Sequence, residues 1–161
     1  MKILVVSDTH GHEKNLMTVL DRVQPVDALI HCGDVEGGED YIRAAVRCPV
    51  YIVRGNNDYF SDLPREEELV LGGYRIFVTH GHMYGVSMST DMLKEEARSR
   101  GAQVAMFGHT HRPWLEIGSD VTVLNPGSLS YPRQEGRKPS FLIMEIDRHG
   151  EAHYTINYLE R

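Results

Sequence analysis

Three short apolar segments in the first third of the chain each end directly in a polar loop, and this alternation limits the possible folds. The segments are residues 2–7, 27–32 and 50–53, and their apolar, β-branched character is typical of strands buried on both faces. Residues 13–23 and 38–46 lie between them as predicted helices, the first with apolar residues at helical spacing. Strands that alternate with helices form parallel sheets, whose binding residues collect at the carboxyl ends of the strands. The sequence therefore predicts an α/β fold with a site at one sheet edge.

The second half of the chain is predicted to consist mainly of β-hairpins. One helix is expected over residues 89–100, where Gly101 ends it, and a strand follows over residues 103–107. No internal repeat or linker interrupts the sequence, so residues 1–161 are expected to form a single domain. The hairpin strands, each pair separated by turn-forming residues, are 67–71 with 74–79, 114–117 with 121–124, and 140–146 with 152–158.

Composition and charge argue against several classes of function. The formal net charge is −6, which makes a nucleic acid polymer an improbable partner because phosphate backbones require a basic face. No segment is apolar and long enough to cross a membrane, and the N-terminal apolar run is too short for a secretory signal, so a cytoplasmic protein is expected. Cys32 and Cys48 lack metal-type spacing and are expected to be buried thiols. The nine histidines are many for 161 residues.

Side chains that could bind metal ions follow five of the predicted strands. His109 and His111 flank Thr110 directly after one strand, and two imidazoles so spaced are hard to explain by packing alone. Asp, His and Asn together suit borderline divalent metals. Seven ligands exceed the needs of one catalytic metal with an open position, but fit two metals about 3.5–4 Å apart that share a carboxylate. The seven are Asp8, His10, Asp34, Asn56, His80, His109 and His111.

Five short motifs occur in a defined order along the chain. They are Asp8-Thr9-His10, Gly33-Asp34, Gly55-Asn56, Thr79-His80-Gly81-His82 and Gly108-His109-Thr110-His111. This order resembles that of the calcineurin-like metallophosphoesterases, in particular their small bacterial and archaeal phosphodiesterase branch. Residues 125–128 also fit that branch, so the resemblance covers most of the chain. It implies a four-layer α-β-β-α sandwich of two mixed sheets flanked by helices, with a dinuclear metal site at one edge.

The resemblance also implies a role for each ligand. Asp8, His10 and His111 would hold the first metal, Asn56, His80 and His109 the second, with Asp34 as the bridge. The expected cofactor is two divalent ions, with Mn²⁺ the first choice and Ni²⁺, Fe²⁺, Co²⁺, Zn²⁺ or Mg²⁺ as alternatives. A metal-activated hydroxide would attack phosphorus, which makes the protein a metal-dependent phosphodiesterase acting on small phosphoesters.

Asn57 marks a departure from the broader family. Many members have His directly after the second-metal Asn, and this His protonates the leaving group in those enzymes. Asn57 cannot transfer a proton at neutral pH, so activated diesters with a low leaving-group pKa, such as aryl esters, are the expected substrates. The catalytic candidates are Asn56, Asp58, whose usual role is to orient the missing His, and His82, a substitute proton donor or phosphate contact.

The Asn-Pro-Gly-Ser segment, residues 125–128, has two interpretations. It could form a nest of backbone N–H groups near the phosphate, or it could be an ordinary turn. The basic loop that follows, residues 130–139, could either attract an anionic substrate or be a solvated face. The candidate substrate contacts are Asn56, His82, Asn125, Gly127 and Ser128.

Two other functions are compatible with the same motifs. A phosphomonoesterase or nucleotidase could use the same dinuclear core, but a dianionic monoester needs extra cationic contacts, for which Arg112 and the basic loop are the few candidates. A non-catalytic scaffold belongs to a different class, because a retromer subunit of similar fold uses its surface for protein partners and departs at ligand positions. All seven ligands are present here, which weighs against scaffolding. Association into a homo-oligomer is left open.

Overall fold

The computed structural model describes residues 1–160, which form ten strands, three α-helices and the 3-10 helix His82–Tyr84. Every predicted strand and α-helix is present, with ends that differ by at most two residues. In chain order the elements are β1 (Lys2–Val6), α1 (Lys14–Val23), β2 (Ala28–His31), α2 (Glu39–Ala44), β3 (Val50–Ile52), β4 (Glu66–Leu71), β5 (Tyr74–Thr79), α3 (Asp91–Ser99), β6 (Val104–Met106), β7 (Pro113–Glu116), β8 (Thr122–Pro126), β9 (Ser140–Ile146) and β10 (Ala152–Tyr158).

The first sheet has the strand order β10-β9-β1-β2-β3. Its three strands from the first third of the chain run parallel to one another, and β9 is antiparallel to β1. Val6 of β1 is paired with His31 of β2, which is in turn paired with Ile52 of β3. The three parallel strands therefore end level with one another, and the loops that follow them leave the sheet at the same edge.

The second sheet has the strand order β4-β5-β6-β8-β7. Strands β5, β6 and β8 run parallel, while the edge strands β4 and β7 are antiparallel to their neighbours. The pairing of Val78 with Met106, and of Met106 with Leu124, again brings the parallel strands to a common end. Each sheet mixes parallel and antiparallel pairs, as predicted.

The two sheets pack face to face and carry helices on their outer faces. In β1, Val5 lies in the apolar core between the sheets, whereas Leu4 packs with the residues of α1 and α2. In β5, Val78 lies in the same central core, whereas Phe77 packs with α3. This alternation follows from the two-residue period of a strand. The predicted four-layer α-β-β-α sandwich is confirmed.

The helices also bear on the membrane question. Within residues 1–160, none of them combines the length and the apolar character that a bilayer crossing requires.

The predicted single domain over residues 1–161 includes Arg161, which lies outside the described residues.

Candidate metal centre

The seven predicted ligands follow strand ends that lie along one edge of the two sheets. Parallel strands that end level place the loops after them side by side, so side chains distant in sequence become neighbours. Asp8 and His10 follow β1, Asp34 follows β2, Asn56 comes after β3, His80 follows β5, and His109 and His111 come after β6. The structure brings all seven together.

Asp8, His10 and His111 form one cluster of donor atoms. The Nε2 atom of His111 lies 3.2 Å from Asp8 Oδ1, and that of His10 lies 3.7 Å from the same oxygen. The two Nε2 atoms are 3.1 Å apart. Two atoms that each lie about 2.0–2.2 Å from one ion are separated by roughly 3–3.5 Å. The cluster therefore has approximately the spacing of ligands around a shared cation.

A second group of donors lies directly beside the first. His80 Nε2 is 3.4 Å from Asp34 Oδ2, and His109 Nδ1 is 3.1 Å from Asn56 Oδ1. The rings of His80 and His109 are 5.2 Å apart between centroids. Asp34 Oδ2 also lies 3.8 Å from His10 Nε2 of the first cluster. Asp34 thus stands between the two groups, where a bridging ligand would have to be.

The carboxylate of Asp8 shows one satisfied and one unsatisfied oxygen. Its Oδ2 accepts hydrogen bonds from Ser7 Oγ at 2.6 Å and from the backbone N–H of His109 at 3.0 Å. Its Oδ1 is buried without a hydrogen-bond partner among the described residues, as is His80 Nε2, 3.8 Å away. Leaving one buried polar atom unpaired costs about 1–3 kcal/mol. Nitrogen and carboxylate donors in this state fit a borderline divalent ion.

The outer hydrogen bonds of two imidazoles fix which nitrogen is available as a ligand. His80 Nδ1 lies 2.7 Å from the carbonyl oxygen of Cys32, and His111 Nδ1 lies 2.8 Å from that of Tyr131. A carbonyl oxygen only accepts, so both Nδ1 atoms carry the proton and donate it. Each Nε2 then presents a lone pair toward the cluster, which is the arrangement that metal-binding histidines require.

The electrostatics of the centre favour bound cations. Burial would raise the pKa of Asp8, but the neighbouring imidazoles of His10 and His111 outweigh it and hold that pKa well below its usual range. Burial would lower the pKa of His10, whereas its contacts with Asp8 and with Glu36, 3.3 Å from Nδ1, raise it to about 9. The pKa of His80 is raised for the same reason, because Asp34 outweighs burial. The carboxylates therefore create a strongly negative local potential.

Backbone strain is concentrated at the same place. A residue other than glycine held in the left-handed region costs on the order of 1–3 kcal/mol, and such residues cluster at functional sites. Gly108 is restricted by space and not by its φ angle, because a Cβ at that position would lie 2.6 Å from Asp8 Oδ2. The strained ligands are Asp8 (φ 54°), His10 (φ 51°), Asp34 (φ 58°), His109 (φ 70°) and His111 (φ 59°).

Asn57 and Asp58 hold the loops of the centre in place. Asn57 donates to Asp34 through its backbone N–H at 2.8 Å and through Nδ2 at 3.0 Å. Asp58 accepts the backbone N–H groups of Asp34 at 2.9 Å, Gly55 at 2.7 Å and Glu36 at 2.7 Å. Both oxygens of Asp58, a predicted catalytic residue, are therefore engaged with the backbone of the ligand loops.

The Asn-Pro-Gly-Ser segment lies beneath the loops that carry the predicted ligands. Asn125 and Ser128 are fully buried. Asn125 Nδ2 donates to the carbonyl of Gly108 at 3.0 Å, and Ser128 Oγ donates to that of Asp8 at 2.8 Å. The N–H of Gly127 is taken by Asn125 Oδ1 at 2.8 Å. These three residues were predicted as substrate contacts, and in the structure the polar groups named here are occupied in supporting the ligand loops.

The open side of the centre carries His82 and a set of arginines. The His82 ring is exposed and lies 5.5 Å from that of His80 and 6.0 Å from that of His109. Burial and the charge of His80 lower the pKa of His82. Depressions that reach the metal ligands are lined by five arginines, which give an acidic protein a basic rim there. These are Arg54, Arg65, Arg112, Arg133 and Arg137.

His31, in β2, is a supporting residue that is not among the predicted site residues. It is fully buried, its Nδ1 accepts the N–H of Gly33 at 3.1 Å, and its Nε2–H donates to Thr9 Oγ1 at 2.9 Å. Burial lowers its pKa to about 4, so the ring is neutral. It thereby joins the loop of Asp8 to the loop of Asp34. A polar side chain inside an apolar strand was the one signal available.

Comparison with known proteins places the chain in a family. The family model described as the calcineurin-like phosphoesterase superfamily domain matches residues 1–149. The probable metallophosphoesterase YsnB of Bacillus subtilis is 36% identical over 148 residues, which cover 91% of this chain and 85% of that protein. The phosphodiesterase MJ0936 of Methanocaldococcus jannaschii is 29% identical over 150 residues, which cover 79% of this chain and 83% of that protein.

Solved structures agree with this placement. A predicted phosphoesterase from Streptococcus pneumoniae superimposes with a TM-score of 0.80 at 29% identity, over 97% of each chain. Vps29 of Entamoeba histolytica, in complex with zinc, gives a TM-score of 0.77 at 24% identity, over 98% of this chain and 99% of that one, and so shares the fold. With the matched residues spanning nearly the whole sequence, the chain belongs to the calcineurin-like phosphoesterase superfamily.

Proposed function

We propose that this protein is a metal-dependent phosphodiesterase that hydrolyses small phosphoesters at a dinuclear centre. The observation that carries the proposal is the convergence of three imidazole nitrogens within 3.2–3.8 Å of the buried, unpaired Oδ1 of Asp8. Cations satisfy such a set of donors, and a purely structural role does not call for it. The relatives named as metallophosphoesterases and phosphodiesterases support a hydrolase.

The ligand assignment in this proposal follows the two clusters. When bound, two divalent ions, with Mn²⁺ as the first choice, would supply a water activated near neutral pH and positive charge facing the phosphate. Asn57 donates a hydrogen bond to each oxygen of Asp34 and so fixes the orientation of that carboxylate. The first ion would be held by Asp8, His10 and His111, the second by Asn56, His80 and His109, and Asp34 would bridge them.

The residues on the open side set the preferred leaving group. Burial and the charge of His80 lower the pKa of His82, which favours the neutral ring, so its N–H can donate a hydrogen bond to a phosphoryl oxygen without bringing a charge. Asn57 carries no transferable proton and is fixed to Asp34. Leaving groups that depart without protonation, such as phenolates, are therefore favoured over alkoxides.

The test is hydrolysis of bis-p-nitrophenyl phosphate by protein stripped with EDTA and reloaded with Mn²⁺. Activity is expected only after reloading, and it is expected to be lost in Asp34→Ala and in His109→Ala. Asp147 and His153 provide a matched control, because they are also a carboxylate and an imidazole, 2.9 Å apart, on the exposed β9–β10 hairpin. Asp147→Ala and His153→Ala should keep full activity.

Two outcomes would replace the proposal. Faster hydrolysis of p-nitrophenyl phosphate than of the diester would indicate a phosphomonoesterase on the same core. If neither ester is cleaved with Mn²⁺, Ni²⁺, Co²⁺ or Mg²⁺ although the ions bind, the protein is a non-catalytic scaffold. Metal content measured by mass spectrometry separates this second case from a failure to load the ions.

A further inference from the structure

A cavity of about 810 Å³ opens beside the metal centre and extends along the edge of the second sheet. Its lining includes His109, residues of β7 and the segment that leads into α3. Sites for small molecules have about this size, roughly 300–1,000 Å³. A substrate whose phosphate lies on the metals would therefore have room for a second, bulky group in this cavity.

The wall of the cavity carries a fixed aromatic surface. Trp114, the single tryptophan of the chain, lines the cavity and is 51% exposed. Its Nε1–H donates to Glu116 Oε1 at 3.3 Å, and Glu116 is itself held by an ion pair with Lys94 and by Thr90 Oγ1 at 3.2 Å. The indole is thus held by its edge. Aromatic side chains presented in this way serve as stacking surfaces for nucleic acid bases.

Two arginines line the same cavity as the indole. Arg112 directly follows the ligand His111, and Arg133 donates its backbone N–H to the carbonyl of His111 at 2.9 Å. Within residues 1–160 neither guanidinium group has an ion-pair partner. Of the two carboxylates in the lining, that of Glu116 is already neutralised by Lys94. The net positive charge favours an anionic ligand.

We propose that this cavity binds the nucleoside portion of a nucleotide phosphodiester. The base stacks on Trp114, and the phosphodiester lies at the His109 end, where Arg112 and Arg133 add to the positive charge. Water oxygen bonds to phosphorus as the bond to the leaving oxygen breaks, which gives a nucleoside monophosphate and an alcohol or phenol that takes up the proton of the water. This assignment rests on the phosphodiesterase activity proposed above.

The kinetic test compares two esters with the same leaving group, thymidine 5′-(p-nitrophenyl) phosphate and methyl p-nitrophenyl phosphate. The ratio of their kcat/KM values is expected to favour the nucleoside ester in the wild type and to fall about tenfold in Trp114→Ala, which is at the lower end of what one stacked base contributes. Trp114→Phe should retain most of the ratio. Ile117→Ala is the matched control, because Ile117 is 69% exposed just beyond β7 but outside the cavity lining.

A ratio that Trp114→Ala leaves unchanged would overturn the assignment of the cavity while leaving the phosphodiesterase proposal intact. Absence of turnover with either ester would contradict the phosphodiesterase proposal, and a binding measurement then tests the cavity by itself. Because Trp114 is the single tryptophan, quenching of its fluorescence reports stacking directly. Adenosine 5′-phosphate is expected to quench it in the Mg²⁺-loaded protein, whereas ribose 5-phosphate is not. Equal quenching by both, or by neither, would exclude a base on the indole.

Discussion

The two sheets contribute different chemistry to the same centre. The first sheet supplies every oxygen donor, whereas the second sheet supplies imidazoles alone. Carboxylates attract cations through their charge, while neutral imidazoles discriminate among metals by ligand type and geometry. Neither sheet carries a complete site. The oxygen donors are Asp8, Asp34 and Asn56, and the imidazoles of the second sheet are His80, His109 and His111.

The contacts between the sheets also orient these ligands. His80 of the second sheet donates to the carbonyl of Cys32 in the first sheet, and Asp8 of the first sheet accepts the backbone N–H of His109 in the second. Each sheet thus fixes a ligand that belongs to the other. The geometry of the centre therefore depends on how the two sheets pack, and changes at a sheet end should differ in effect according to how many ligands they touch.

The largest effect is expected from Asp8→Ala. Asp8 Oδ1 lies within 3.8 Å of imidazoles from both clusters, so its loss should weaken both metal positions, whereas His111→Ala should weaken only the first. We expect Asp8→Ala to lower kcat/KM by at least about a thousandfold, well beyond the 10- to 100-fold typical of changes to outer hydrogen-bond partners. Metal content per chain should fall from two to near none in Asp8→Ala, and to one in His111→Ala.

If Asp8→Ala loses only one ion, Asp8 contributes to the first metal position alone, as is expected of His111. Loss of both ions from His111→Ala would show the opposite, that the imidazoles of the second sheet depend on one another. The unfolding transition of each metal-free variant, compared with that of the metal-free wild type, separates a lost ligand from a lost fold.

A smaller effect is expected from His31, which joins the two carboxylate loops within the first sheet. Burial lowers its pKa from 6.5 to about 4, so the unfolded chain binds more protons than the folded chain between these values. Stability is therefore lost as pH falls from 6.5 to about 4. With one pKa unit worth about 1.4 kcal/mol, metal-free wild type should lose about 3 kcal/mol more than His31→Gln across this window. Urea unfolding at a series of pH values measures the difference, and parallel curves for the two proteins would refute it.

Much of the fold could be predicted from the sequence because the patterns that specify it are local. The apolar period of the strands, the Gly72-Gly73 turn and the helical stripe of residues 13–23 each act over a few residues. The ligands were predictable for a related reason, since each lies directly after such a strand. The pairing of strands into two sheets is not local, and the order of the motifs supplied it through the family resemblance.

The supporting contacts could not be predicted, because they involve backbone groups that any residue carries. The carbonyls of Cys32 and Tyr131 orient two imidazoles, but the identity of these two side chains gives no sequence signal of that role. Asp58 is of a residue type that is common in catalysis, but its carboxylate accepts hydrogen bonds from three backbone N–H groups. Asn125 and Ser128 belong to a segment that the sequence suggested as a phosphate-binding turn, but both are fully buried beneath the ligand loops. Whether a polar group faces solvent or a neighbouring loop depends on the packing of both sheets.

The smallest effect is expected from a change at Glu36, which orients His10, the one imidazole that the first sheet supplies. Its Nδ1 is oriented by Glu36, a carboxylate with a side chain that is 35% exposed, and not by a buried carbonyl as in His80 and His111. Glu36→Gln keeps an acceptor oxygen and removes a charge that solvent already screens. We expect affinity for the first metal to fall by no more than about tenfold, at the lower limit for outer partners, with activity unchanged at saturating metal.

Metal titration followed by activity measures this change, and Glu135→Gln, which removes an equal charge from the exposed loop 130–139, is the matched control. A loss as large as that of Asp8→Ala would mean that charge in the first sheet acts through Glu36 as much as through the ligands themselves. The two sheets would then differ in how their ligand side chains are oriented and not in which donor atoms attract the cations. A small loss would instead assign the attraction for cations to the two buried carboxylates of the first sheet. The imidazoles of the second sheet would then complete the coordination of ions that those carboxylates attract.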